Sequence, residues 1–139
     1  IYQCDWSSDV CSSDLGTNWK QVSAGGSSTA AIKTDGTLWL WGNNISYGQL
    51  GDNTTTDRSS PVQTIAGGTN WKQVSVSDTN VMTIKTDGTL WGWGGNLYGA
   101  LGDNTAVTKS SPVQTIAGGT NWKQVSAGNS FSAALKDDM

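Results

Sequence analysis

Apolar and polar residues alternate along this chain in short bursts, separated by runs of Gly, Ser, Thr, Asn and Asp. Period-2 alternation bounded by such turn residues predicts strands, and nothing in the chain sustains the i, i+3, i+4, i+7 spacing of an amphipathic helix. The first predicted strand is WKQVS, Trp19 to Ser23, with Lys20 and Val22 on one face. The second is TAAIK, Thr29 to Lys33, matched by VMTIK from Val81 and SAALK from Ser132. Asp35-Gly36 then predicts a hairpin with a type I′ turn, which needs positive φ at both central positions. The third strand is LWLW, Leu38 to Trp41, matched by LWGW from Leu90. A long loop leads to the fourth, PVQTI, which Pro61 and Pro112 open at a point where a missing N–H costs no ladder bond.

These strands recur as a set. GTNWKQVS starts at Gly16, Gly68 and Gly119, at offsets of 52 and 51 residues, and KTDGTLW recurs at Lys33 and Lys85, as SSPVQTIAGG does at Ser59 and Ser110. A unit of this length cannot bury its own apolar face and must stack on its neighbours. Four antiparallel strands per unit is the make-up of a propeller blade, whereas β-solenoid repeats are usually shorter. The fold class expected is all-β, a partial β-propeller of about 2.4 repeats spanning 16–67, 68–118 and a truncated 119–139. Such an incomplete ring is expected to leave an apolar wedge face at each end, with open strand edges.

Residues 1–15 stand apart. PVQTIAG precedes both Gly68 and Gly119, but DWSSDVCSSDL precedes Gly16 and matches nothing else in the chain. Asp5 to Leu15 resembles one reading frame of a short-read sequencing adapter, and a non-native segment of this kind is set aside from fold reasoning. Both cysteines, Cys4 and Cys11, lie in it, so they imply no disulfide or zinc site in the repeats. Without it, eight Asp face eight Lys plus Arg, and the formal charge of -3 becomes zero. A neutral balance argues against nucleic acid as partner, which calls for a positive footprint. No apolar run approaches the ~18 residues of a membrane span. The chain is expected to be truncated at both ends.

Candidate chemistry is sparse. There is no His, and the repeats contain neither Cys nor Glu, so a base–nucleophile pair would have to use Asp or Lys. The recurring Asp residues suit turns: Asp35 and Asp87 in hairpins, Asp52 and Asp103 in loops. No catalytic residue, cofactor or metal site is expected, because Gly-Asp-Asn-Thr lacks the alternating oxygen ligands of a calcium loop. Trp39/Trp41 and Trp91/Trp93 each share one strand face; wedge packing between blades is the expected role, and a sugar-stacking platform is the alternative. Lys20, Lys72 and Lys123 read as a solvated face. Binding is expected of the long loops, with candidates Asn43, Asn44, Tyr47, Gln49, Asp52, Asn53, Asp57 and Arg58 in the first, and Asn96, Tyr98, Asp103, Asn104 and Lys109 in the second. These loops differ by the extra Ser46, and by Thr55 to Arg58 against Ala106 to Lys109. A second variable stretch sets Gly26 to Thr29 against Asp78 to Val81 and Asn129 to Ser132.

The string Ala24-Gly25, Ala30-Ala31-Ile32-Lys33, Asp35-Gly36, Leu38-Trp39-x-Trp41-Gly42-x-Asn44 and Tyr47-Gly48-Gln49-Leu50-Gly51-Asp52 resembles the regulator of chromosome condensation repeat. The resemblance runs from Gly16 to Lys136 and implies a ring of usually about seven four-stranded blades. Departures are Ser28, Asn80 and Phe131 where the family often carries His, Ala100 in place of Gln, and Ser77 in place of Gly. The near-identical Trp- and Thr-rich copies resemble bacterial members. Members include nucleotide-exchange factors, chromatin binders and a beta-lactamase-inhibitor protein, so the resemblance implies a non-catalytic binding or scaffold propeller with a protein partner. The expected setting is a larger bacterial surface or secreted protein. Carbohydrate binding through Trp and guanine-nucleotide exchange are the alternatives.

Overall fold

The structure, a computed structural model, describes residues 18–137. The expectations for residues 1–15 lie outside the described residues. Ten strands follow in order: β1 (Trp19–Ala24), β2 (Ser28–Lys33), β3 (Leu38–Gly42), β4 (Arg58–Gln63), β5 (Trp71–Val76), β6 (Asn80–Lys85), β7 (Leu90–Gly94), β8 (Lys109–Gln114), β9 (Trp122–Ala127) and β10 (Ser132–Lys136). They form three antiparallel meanders: β1-β2-β3-β4, β5-β6-β7-β8 and the pair β9-β10. These are successive blades of a partial β-propeller, and the all-β expectation holds.

Strand period puts opposite faces of each blade against different neighbours. Leu38 and Leu40 of β3, with Ile32 and Leu50, face forward and meet Trp71, Val74, Val81 and Trp93 of the second blade. The second seam repeats the arrangement, with Ile84, Leu90 and Leu101 against Val125, and Trp122 at its margin. The Leu side of β3 and of β7 thus serves the following blade, and the Trp side of β7 the preceding one. Burying such side chains is worth ~1.5–3 kcal/mol each, so the seams, not the sheets alone, hold the array together.

Three local expectations change. The KTDG hairpin is not type I′: Gly36 and Gly88 have positive φ, at 84° and 80°, but Asp35 and Asp87 do not. Gly36 N–H donates to Lys33 C=O and Lys33 N–H to Thr37 C=O, the pattern of a type I turn closed by a left-handed glycine. Asp35 favours it, because its Oδ1 accepts from both the backbone and the hydroxyl of Thr37. Secondly, a bulge between Trp19 and Gln21, repeated at Trp71 and Gln73, breaks the alternation. Lys72 is exposed while Val74 is buried, whereas Lys20 and Val22 are both exposed, so the bulge interrupts the strict alternation expected to place each pair alike. Finally, Pro61 and Pro112 lie inside β4 and β8 instead of opening them. Both strands are at the outer edge of their sheets and are irregular there, with Gly42 paired to Arg58 but Leu40 to Val62. An edge position with a register shift tolerates a residue that donates no hydrogen bond.

Candidate binding cleft on the long-loop face

The loops joining β3 to β4 and β7 to β8, residues 43–57 and 95–108, are each organised around one asparagine. Asn44 is fully buried. Its Oδ1 accepts from Leu50 N–H at 2.9 Å, and its Nδ2 is shared among Asp52 Oδ1 and the carbonyls of Thr54 and Thr56. Asn96 does the same, accepting from Leu101 N–H at 2.9 Å and donating to Asp103 Oδ1 and the carbonyls of Thr105 and Val107. Neither asparagine is available to a partner; both staple the loop that carries the other candidates.

Asp52 is also committed internally. It accepts from the backbone and hydroxyl of Thr54 and pairs with Arg58 at 2.9 Å. Burial pushes its carboxyl up, but the Thr54 and Arg58 hydrogen bonds outweigh this and hold it below the ordinary carboxylate value. Asp103 is lowered in the same way: burial opposes, while the Thr105 hydroxyl and the Asn96 amide prevail, with Lys109 3.7 Å away. Asp57 accepts from Asn44 N–H at 2.6 Å. Gln49 is buried and donates to Asn43 Oδ1 at 3.0 Å. Asn53 and Asn104 take the left-handed conformation at φ 62°, and Asn53 N–H reaches Ser110 C=O on the next blade. Of the thirteen candidates, Tyr47 and Tyr98 are the aromatic pair left exposed.

Those two tyrosines border a cleft of about 210 Å³, with Leu97, Thr79, Gly95, Ala100, Asn129 and Ser130 completing its wall. The cleft exists because of a paired departure between repeats. The first loop carries the hydrogen-bonded Asn43 and Gln49; the second has Gly95 and Ala100 at the matching positions. Both side chains are lost together, and the Tyr47 ring settles over Gly95, where a Cβ would come 3.2 Å from its Cδ1. Tyr98 is 74% exposed and Leu97 71%, so the cleft has an apolar, solvent-facing rim and a floor of small residues. Leu97 was missed by sequence reasoning; its signal was an apolar residue in a loop with no strand register to explain it.

The geometry accords with the sequence comparisons. A family model for the regulator of chromosome condensation (RCC1) repeat matches residues 35–84 and 87–135, and a second model of the same description matches 19–49. The chain belongs to the RCC1 repeat family. The ultraviolet-B receptor UVR8 of Arabidopsis thaliana is 32% identical over 127 residues, covering 88% of this chain and 28% of that protein. The X-linked retinitis pigmentosa GTPase regulator homolog of Caenorhabditis elegans is 34% identical over 89 residues, 63% of this chain and 6% of that one. Among solved structures, human WBSCR16 superposes with a TM-score of 0.75 at 25% identity, over 85% of this chain and 30% of that chain. Prp20p from Saccharomyces cerevisiae gives 0.73 at 20% identity, over 86% and 31%, a likeness of fold alone. The chain thus spans less than a third of each of these proteins.

Within the RCC1 repeats the tryptophans divide by seam. Trp93 is fully buried, edge-on to Trp71 at 6.1 Å, and its Nε1 donates to Gln49 C=O on the preceding blade. The Lys85 ammonium lies between Trp71 and Trp91, 4.7 and 4.2 Å from their centroids, and Lys33 repeats this between Trp19 and Trp39. Cation–π contacts of this kind contribute ~0.5–2 kcal/mol each. The indole N–H of Trp71 and Trp122 donates to Gly67 and Gly118 C=O. The variable stretch around Asp78 also joins blades: Asp78 accepts from Gly26 N–H and from Asn129 Nδ2, and the Thr79 hydroxyl donates to Asn129 C=O.

Proposed function

We propose that this chain is a non-catalytic protein-binding scaffold, and that the cleft between Tyr47 and Tyr98 anchors an apolar side chain of the partner protein. The reading rests on the paired replacement of Asn43 and Gln49 by Gly95 and Ala100, which opens a small-residue floor beneath exposed aromatics. Tyr rims around a pocket are the composition of interface hot spots. The fold family is one of interaction modules, and Prp20p is described by its binding to Gsp1p and histones. Carbohydrate stacking is less well supported: Trp93 is buried and the face of Trp91 carries Lys85. Nucleic acid is disfavoured by charge, since Arg58, Lys109 and Lys123 each pair with an Asp. Exchange on a GTPase has no feature of this chain to support it beyond family membership.

The test is selection of peptide ligands on the intact chain, followed by affinity measurement on Ala100→Gln, which restores the side chain of the first repeat. Filling an anchor pocket should weaken binding roughly 30-fold, the equivalent of ~2 kcal/mol. Ligands indifferent to both Ala100→Gln and Tyr98→Ala would place the binding surface elsewhere.

A further inference from the structure

Each first strand carries a bulge, and the residue that the bulge frees is a lysine in all three repeats. Trp19 pairs with Lys33 and Gln21 with Ile32, which leaves Lys20 outside the ladder; Lys72 and Lys123 are left out in the same way. A bulge re-aims the side chain it releases. All three lysines are exposed, Lys72 among them although β1 and β9 lie against its strand on either side. Successive blades meet through their first two strands, β1 and β2 on β5, then β5 and β6 on β9, so the lysines lie along the inner rim of the array. The residue after each lysine fixes their spacing. Gln21 Oε1 accepts from Val74 N–H at 3.2 Å and Gln73 Oε1 from Val125 N–H at 2.7 Å, each capping the first strand of the next blade.

Charge is divided along the same axis. Among the described residues, six lysines stand against Asp35, Asp87 and Asp137 at the hairpin end, where β2 turns into β3 and the first strands begin. At the long-loop end Asp52, Asp57, Asp78 and Asp103 outnumber Arg58 and Lys109. The neutral total thus hides a positive end and a negative one. Lys33, Lys85 and Lys136 rest on indole rings, and Lys123 pairs with Asp137 at 3.0 Å. Thr34 and Thr86 occupy the position of Asp137 in the other two repeats, and Lys20 and Lys72 make no ion pair among the described residues.

We propose that this inner rim at the hairpin end is a second binding surface, and that it takes an acidic, extended segment of a partner protein. It lies at the opposite end from the tyrosine cleft and does not rest on that reading. Charge complementarity selects the occupant. Packed sheets stand ~10 Å apart and an extended chain rises ~3.3 Å per residue, so lysines on successive blades match carboxylates about three residues apart. Each complete repeat adds only two lysines and one aspartate at this end. That excess is too sparse for a nucleic-acid duplex, which carries one charge per ~1.7 Å.

Fluorescence polarisation of the full chain with a labelled peptide carrying glutamate at every third residue should show saturable binding at low salt, released as ionic strength rises. Lys72→Gln should weaken it about fivefold, and Lys20→Gln/Lys72→Gln/Lys123→Gln should abolish it. Lys72→Arg keeps the charge and should bind as the wild type does; unchanged urea midpoints report that the variants fold. Ser59→Glu, on the exposed outer edge of β4, lowers the net charge as much as Lys72→Gln does and should leave the affinity unchanged. Wild-type chain that fails to bind the peptide at low salt overturns the proposal. So does equal weakening by Ser59→Glu and Lys72→Gln, the signature of net charge alone. A single-stranded oligonucleotide of the same charge, bound as tightly as the peptide, would overturn it too, because the rim would then not be selecting carboxylates.

Discussion

Asn44 shows how much a single residue type can settle in this protein. An amide offers a donor and an acceptor on one rigid plane, and the loop uses both, so an aspartate of similar size would satisfy only the acceptor half and a leucine neither. Asn44→Ala strands the buried N–H of Leu50 and frees the carbonyls of Thr54 and Thr56. A cost of roughly 2–4 kcal/mol is expected, read as a lower urea midpoint at unchanged slope; a loss below about 0.5 kcal/mol would mean water replaces the staple. Acid acts on the carboxylates of the hairpins and the long loops. Asp35, Asp52, Asp87 and Asp103 are all held below the ordinary value of 3.8, so the folded state binds protons more weakly than the unfolded one. Their stabilisation is fully present at neutral pH and is lost as pH falls from near 3.8 through the depressed folded values. Urea midpoints measured from pH 7 down to pH 2 should be level until about pH 4 and then fall. Replacing a threonine partner tests the cause directly: Thr54→Val should shift the Asp52 carboxyl resonance to titrate at higher pH.

Elements were legible where the pattern of apolar residues decides them, and less so where hydrogen bonds do. The strands of LWLW and TAAIK fall within a residue of the expected limits, because burial on both faces leaves no other register. The β1 bulge, the glycine-closed turn and the early start of β4 were hidden, since each is set by which backbone group meets which, and composition does not encode that. The candidate site shows the same limit. Tyr47 and Tyr98 could be named from sequence, but that Asn44 and Asn96 turn inward while Leu97 turns out depends on the loop closing around an amide. Gly88 tests the turn itself. A Cβ there would sit 1.8 Å from Thr120 C=O, the backbone entering the third blade, and its φ is 80°. At Gly67, φ is 58° and nothing lies within 4 Å. Gly67→Ala should cost only the left-handed penalty of ~1–2 kcal/mol, whereas Gly88→Ala adds a collision with main chain and should cost more by at least that much again. Equal thermal shifts for the two would mean the turn yields and the collision is relieved.

At the scale of the whole molecule, stability is a sum over blades and the seams between them, as in any repeat array. The two seams are not equal. In the first, Leu50 and Trp93 close the outer part of the wedge. In the second, Met82, Leu90 and Leu101 border an open cleft of about 190 Å³ beside Trp122, because the third blade contributes only β9 and β10 among the described residues. Blade three should therefore open without the others. Hydrogen exchange is expected to rank β5, β6 and β7 as most protected, flanked by a seam on each side, and β9 and β10 as least. Gln73→Ala removes the acceptor of Val125 N–H, a bond worth ~1 kcal/mol, and should speed exchange across β9 and β10 about fivefold while leaving β1 and β2 unchanged. Gln21→Ala, the same change one repeat earlier, should show less, since the surrounding core of the first seam holds the edge in place when one cap is lost. If both variants accelerate exchange equally in all three blades, the chain opens as one cooperative unit and the seams are not its points of division.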